Sequence, residues 1–159
     1  MDNDVIREAR VEDVPAIVDM IRAGSNEGVF HSQAFSLEEQ KEAFKKNAFE
    51  ERPEGYQVLV SQVGSRIVGY IDYRVRRGVG HVLGIYVKQA YRKQGVGKGL
   101  VRKVLNDFKR KGCHKTRLEV FAQNCGAIQF YKYFGFAQEG FLHKDEEKKD
   151  EIIMSKFLP

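Results

Sequence analysis

The sequence predicts an α+β fold: a mixed, mostly antiparallel central sheet flanked by helices. Three observations carry this expectation. A run of strand-like segments occupies the middle of the chain, with a further strand pair at its end. A strand–helix–strand crossover lies between them, which calls for a parallel strand pair. The chain has 159 residues, 42% hydrophobic and 31% charged, with only 3 prolines. That suits one domain over residues 1–159 with its own core, and it excludes a disordered, collagen-like or low-complexity chain.

The elements follow in order. Residues 4–10 alternate Val5, Arg7 and Ala9 against Ile6, Glu8 and Arg10, a short strand. Residues 12–23 place Val14, Ile17, Val18 and Ile21 at helical spacing, with Pro15 in the first turn, where its missing N–H is harmless. Residues 24–36 read as a loop. Ser36 and Glu39 then form a capping box that opens a helix towards Ala48. Residues 56–62 and 67–75 are rich in Val, Ile and Tyr, with Gly64 and Ser65 between them, and read as a hairpin. A third strand spans 81–87. The period then changes: Leu100, Val104 and Phe108 recur every fourth residue, an amphipathic helix from about Gly97 to Gly112. A strand at 116–121, a helix at 124–134 ended by Gly135, and strands at 136–143 and 151–157 complete the chain.

Composition narrows the function. Basic residues outnumber acids 27 to 22, giving a net charge of +5. Residues 88–117 hold eleven of the basic ones and a single acid, Asp107. This is either a solvated helix face or the site of an anionic ligand. Aromatic residues are not interleaved with these charges as stacking platforms, so a small polyphosphate fits better than nucleic acid. No apolar run reaches the roughly 20 residues that span a bilayer. The start, MDNDVIREAR, lacks the apolar stretch of a secretory signal. Cys113 and Cys125 form no disulfide framework, so a cytoplasmic location is expected. His31, His114 and His143 form no set with metal-ligand spacing, and no metal is expected.

The densest signal is Arg92-Lys93-Gln94-Gly95-Val96-Gly97-Lys98-Gly99, between a strand and a helix. Glycines let backbone N–H groups approach a ligand closely. The first turn of a helix offers N–H groups without intrahelical partners and a positive dipole end. Arg92, Lys93 and Lys98 add charge at the same point. The alternative is a tight turn that needs glycine for geometry alone. The Walker loop is excluded, because no Gly-Lys-Ser/Thr occurs here, and the dinucleotide fingerprint fails at Leu100 and Arg102, where a third glycine is required.

These residues resemble the GNAT superfamily of N-acetyltransferases. Its loop has Arg or Gln, two free positions, Gly, one free position, then Gly or Ala, and residues 92–97 fit in full. A second segment, Asn124, Ala127, Phe130-Tyr131 and Gly135-Phe136, is similar to the family's N-x-x-A-x-x-(F/L)-Y-x-x-x-G-F pattern. The resemblance covers nearly the whole chain. It implies a V-shaped opening between the strand ending at Val87 and the strand at 118–121, with a bulge near residues 84–86. It implies acetyl-CoA as co-substrate: the pantetheine arm on the backbone of Ile85, Tyr86 and Val87, the pyrophosphate on the turn of Arg92, Lys93, Gln94, Gly95, Val96, Gly97, Lys98 and Gly99, and a side-chain contact from Asn124.

The implied reaction is direct transfer of acetyl to a primary amine, on a small molecule or a peptide, in a ternary complex without a covalent enzyme. Tyr131 matches the family's tyrosine facing the CoA sulfur. A phenol titrates near ~10, so it arrives protonated and can donate; otherwise Tyr131 is core packing, like Phe130 and Phe134. His81 is the first candidate base, since imidazole titrates near ~6.5; otherwise it is a strand-end residue facing solvent. Glu119 is the rival base, or else a partner for Arg117 or a backbone amide. A non-catalytic acetyl-CoA-binding module is the alternative class, and retention of Tyr131, His81 and Glu119 argues against it. No nucleic acid or membrane partner is expected. The apolar Ile152-Ile153-Met154 end, with the family's habit of pairing through terminal strands, leads to the expectation of a homodimer.

Overall fold

The computed structural model describes residues 4–32 and 34–159; Gln33, inside the predicted 24–36 loop, and residues 1–3 lie outside it. The elements are β1 (Val5–Glu8), α1 (Val14–Asn26), α2 (Leu37–Lys45), β2 (Tyr56–Val63), β3 (Arg66–Arg76), β4 (Val79–Val87), α3 (Val96–Arg110), β5 (Lys115–Phe121), α4 (Cys125–Tyr133), β6 (Ala137–Leu142) and β7 (Glu151–Phe157). The predicted order holds throughout. The boundaries differ by a few residues: β1 is shorter than expected, and α1 runs on to Asn26. The capping box forms as predicted, with Ser36 Oγ accepting from the Glu39 N–H at 3.3 Å and Glu39 accepting from the Ser36 N–H at 2.8 Å. One feature was not foreseen: α2 passes into a π turn at Lys46–Glu50.

The seven strands form one sheet in the order β1-β2-β3-β4-β5-β7-β6. All neighbours are antiparallel except β4 and β5. Strand alternation sends side chains to two faces. Val68, Ile71, Tyr73 and Val82 meet Leu100, Val104 and Phe108 of α3 on one face, with Leu118 and Met154 beside them. Val58, Val60, Tyr70 and Tyr86 meet Ile17 and Met20 of α1 on the other. β3 is therefore buried on both faces, which is why its sequence reads as a nearly continuous apolar run. Among the described residues, no helix is long and apolar enough to cross a membrane.

The parallel pair is short. Only Val79, Gly80 and His81 pair with Lys115, Thr116 and Arg117. Beyond them β4 follows β3, while β5 follows β7. The β3–β4 register slips where Asp72 faces Gly84 and Tyr73 faces Val82, so Leu83 is the extra residue. The bulge thus lies just ahead of the 84–86 position expected from Gly84. An extra residue bends its strand and raises the local twist, which turns β4 away from β5 and opens the sheet.

A carboxylate ties α3 to the sheet. Asp107 accepts from the Tyr73 hydroxyl at 2.8 Å and pairs with Lys111 at 2.9 Å and with Arg110. Burial resists its ionisation, but Lys111, Tyr73 and Arg110 together hold its pKa below the ordinary value of 3.8. Asp107→Asn therefore removes stability that is fully present above that value and lost as pH falls through the lower folded one. Chemical denaturation at pH 7 should show a loss of about 1–3 kcal/mol. The gap between the two proteins should shrink as pH falls below 3.8.

Candidate active site

The split between β4 and β5 holds two joined cavities. The first is a cleft of about 720 Å³ bounded by Ile85, Tyr86 and Val87 of β4, the loop residues Arg92, Lys93, Gly95, Gly97 and Lys98, and Gly126, Ala127 and Phe130 of α4. The second, of about 420 Å³, lies deeper along the split and includes Tyr70, Asp72, Gly84, Glu119 and Tyr131 in its walls. Val29, Ile85, Asn124 and Ala127 line both.

The loop sets free backbone amides beside cationic side chains. Gly95 has φ +93°, in the left-handed region that disfavours a side chain, and it starts α3 without a capping side chain. The first helical bond runs from the Gly99 N–H to the Gly95 carbonyl at 2.9 Å. The N–H groups of Val96, Gly97 and Lys98 therefore have no helical acceptor. Of the other predicted loop residues, Gln94 turns back to the Ala90 carbonyl at 2.9 Å, and the Val96 side chain is buried in the core. Gly99 faces Ile6 of β1. Gln94 and Val96 offer backbone rather than side chains, and the Gly99 N–H, expected to serve the ligand, is spent on the Gly95 carbonyl.

Arg92 is already engaged. Its Nη2 lies 2.8 Å from Glu27, its Nε donates to the Val87 carbonyl at 2.8 Å, and its guanidinium stands 5.0 Å from the Tyr86 ring centre. The Tyr86 hydroxyl also donates to Glu27, at 2.6 Å. Burial resists the ionisation of Glu27, but Tyr86 and Arg92 hold it below the usual carboxylate range. Burial and the same carboxylate push the Tyr86 hydroxyl up to about 12. Asn124 caps α4, its Oδ1 accepting from the Ala127 N–H at 3.1 Å. That oxygen is spent locally, and the side-chain amide N–H groups remain for a ligand.

The deeper cavity gathers the titratable groups. Tyr131 is buried between Phe130 and Phe136, with ring centres 5.4 and 5.6 Å away. Burial pushes its hydroxyl well above the ordinary phenol value, so it stays protonated at neutral pH. Glu119 lines the same cavity. His81 does not. It sits at the last parallel pair, with Nε2 3.9 Å from Glu119. Burial pushes its imidazole below the usual range, while Glu119 pulls it back up.

Four contributors were missed in the sequence. Asp72 stands inside the apolar strand Ile67 to Val75, and a lone acid there was a legible signal. Tyr56 donates to Asp72 at 2.9 Å across the β2–β3 ladder. Glu27 and His31 come from the loop after α1, where no pattern marks them. His31 Nε2 lies 3.0 Å from Glu151 at the start of β7 and closes the far end of the cavity.

The chain matches the Acetyltransferase (GNAT) family over residues 25–136. It is 33% identical over 144 residues to the thialysine N-epsilon-acetyltransferase of Mus musculus, covering 82% of each chain. Its fold is similar to the ribosomal-protein-alanine N-acetyltransferase of Brucella melitensis, with a TM-score of 0.80, 22% identity, and 97% and 99% of the two chains covered. It is also similar to PaiA N-acetyltransferase of Thermoplasma acidophilum in complex with coenzyme A, with a TM-score of 0.73, 21% identity, and 98% and 99% covered.

The opposed influences on His81 give a direct check. In an NMR titration its imidazole should titrate below 6.5. Glu119→Gln removes the charge that raises it, so the midpoint should fall further. A midpoint that rises or stays fixed in the variant would show that the two side chains do not interact.

Proposed function

The chain belongs to the GNAT acetyltransferase family, and from that premise we propose that it transfers acetyl from acetyl-CoA directly to a primary amine, with Tyr131 as acid and His81 with Glu119 as base. The observation that carries this is the junction of the two cavities. An anion-binding loop opens one, Tyr131 and Glu119 stand in the other, and Asn124 and Ala127 belong to both.

The chain's donors fit the co-substrate. The amides of residues 96–98, with Arg92, Lys93 and Lys98, suit a pyrophosphate. The edge of β4 beyond His81 has no ladder partner on its β5 side among the described residues, so its backbone is available to an extended, amide-bearing arm. Acetyl-CoA supplies an activated acyl group at the end of that arm. Tyr131, kept protonated by burial, gives its proton to the departing thiolate. Glu119 reaches the acceptor's nitrogen from the β5 wall, and His81 behind it receives the proton and passes it to solvent. The cavity suits a cationic acceptor. A thialysine side-chain amine, named for the Mus musculus relative, belongs to this class.

Two outcomes test the proposal. A Cβ at Gly97 would meet Phe130 and Val87 at ordinary contact distances of 3.5 and 3.6 Å. Gly97→Ala should therefore fold and keep part of the thermal stabilisation by acetyl-CoA. Gly97→Asp sets a carboxylate against the pyrophosphate and should abolish it. Stabilisation equal to the parent's in Gly97→Asp would place the co-substrate elsewhere. Tyr131→Phe should keep acetyl-CoA affinity while turnover falls about 10²–10⁴-fold. Parental turnover would reduce Tyr131 to core packing.

A further inference from the structure

An alkylammonium must lose two protons to become an amide, one before its nitrogen attacks and one after. The pair His81 and Glu119 accounts for one of them. We propose that Asp72 is a further catalytic residue: it binds the acceptor's ammonium group and takes the first proton, freeing the lone pair. This rests on the acetyl-transfer reading above.

Asp72 lies opposite the bulge, where β4 parts from β5, and its carboxyl faces the same cavity as Tyr131 and Glu119. A Cβ at Gly84 would stand 3.0 Å from Asp72 Oδ1 and 3.2 Å from the Tyr70 hydroxyl. The glycine thus leaves open the space in front of the carboxyl. Oδ2 is held by the Tyr56 hydroxyl at 2.9 Å, which fixes the group's orientation. The Phe30 ring closes the same wall, 3.9 Å from that Cβ position.

The surroundings favour a cation. The chain carries a net charge of +5, yet no lysine or arginine is among the described residues lining this cavity. Its acidic residues are Asp72, Glu119, Asp145, Glu146 and Glu151, with His31 beside them. The groups facing Asp72 itself are the phenols of Tyr56 and Tyr70, with Tyr131 beyond Tyr70. Burial pushes Asp72 up to about 6, although Tyr56 and the backbone amides of Asp72 and Gly84 pull it down. The same burial lowers the pKa of an ammonium group placed there, while the neighbouring carboxylates raise it.

The step balances. The nitrogen gives one proton to Asp72, which passes it to water. Its lone pair forms the C–N bond as the C–S bond breaks. The second nitrogen proton goes to Glu119 and His81, and Tyr131 protonates the sulfur and is reprotonated from solvent. One proton is released overall for each ammonium acetylated.

The test uses 1,4-diaminobutane, with thiol release for turnover and NMR titration for binding. Asp72→Asn keeps the side chain's shape and the Tyr56 contact. It should bind the diamine at least about tenfold more weakly at pH 7.5 and lower kcat/KM about 10²–10³-fold. The deficit should close near pH 10, where free amine is plentiful, whereas Glu119→Gln, acting after attack, stays slow there. Tyr56→Phe should fold, bind acetyl-CoA, and move the acid limb of kcat/KM to higher pH than in the parent, because it removes the bond favouring ionised Asp72. A parent that does not bind the diamine overturns the assignment. So does an Asp72→Asn variant with parental binding, or a pH profile that responds only to His81 and Glu119. Absence of both acetyl-CoA stabilisation and thiol release would instead defeat the acetyl-transfer reading and with it the proton-taking role, and diamine binding by the parent and Asp72→Asn would then decide only whether Asp72 holds an ammonium group.

Discussion

Everything functional in this molecule depends on three residue pairs being the last that β4 and β5 share. A parallel pair continued to Val87 would bond the edge of β4, close the cleft and bury Asp72 against β5. The extra residue Leu83 prevents this by bending β4 with β3 rather than with β5. The sheet remains intact on either side, because β3 holds β4 and β7 holds β5. A break in the middle of a sheet ordinarily leaves unsatisfied backbone groups, which is costly. Here those groups face a cleft, where an extended ligand can meet them.

The charge distribution follows the same line. At one end of the split are helix amides and three cations; at the other are carboxylates with a single histidine. In the proposed reaction the co-substrate's phosphates and the acceptor's ammonium group would be drawn to opposite ends, and their reactive ends would meet near Asn124 and Tyr131. Complementary fields of this kind orient ligands before contact is made. The +5 net charge alone conceals this, because the basic residues of α3 outweigh the cavity in the sum.

Much of the fold was legible because its elements obey local rules. Ser36 with Glu39 marks a helix start, Leu100, Val104 and Phe108 mark a buried stripe, and the glycines of residues 95–99 mark a helix entrance. The placement of β7 between β5 and β6 was not legible, since pairing order depends on long-range packing that no local pattern encodes. The position of the bulge was missed by one residue because glycine signals a site that permits distortion, while register decides where the slip falls. In the cleft, the glycines and cations of residues 92–98 were legible from their pattern, and Tyr131 drew notice only through the family resemblance. Asp72 was overlooked because its strand reads as core, and Glu27 because its partner Arg92 is 65 positions away.

The contact between Arg92 and Glu27 changes how the loop meets an anion. A phosphate arriving there does not find a bare guanidinium; it competes with a carboxylate already 2.8 Å away. Binding is then an exchange of one ion pair for another, not the addition of a new one. Dissolved salt screens the incoming pair and the outgoing pair alike, so at Arg92 the two losses largely cancel. The ionic-strength dependence of phosphate binding is left to Lys93, Lys98 and the helix amides. A loop with a strongly basic sequence thus behaves, towards salt, like one with a smaller charge.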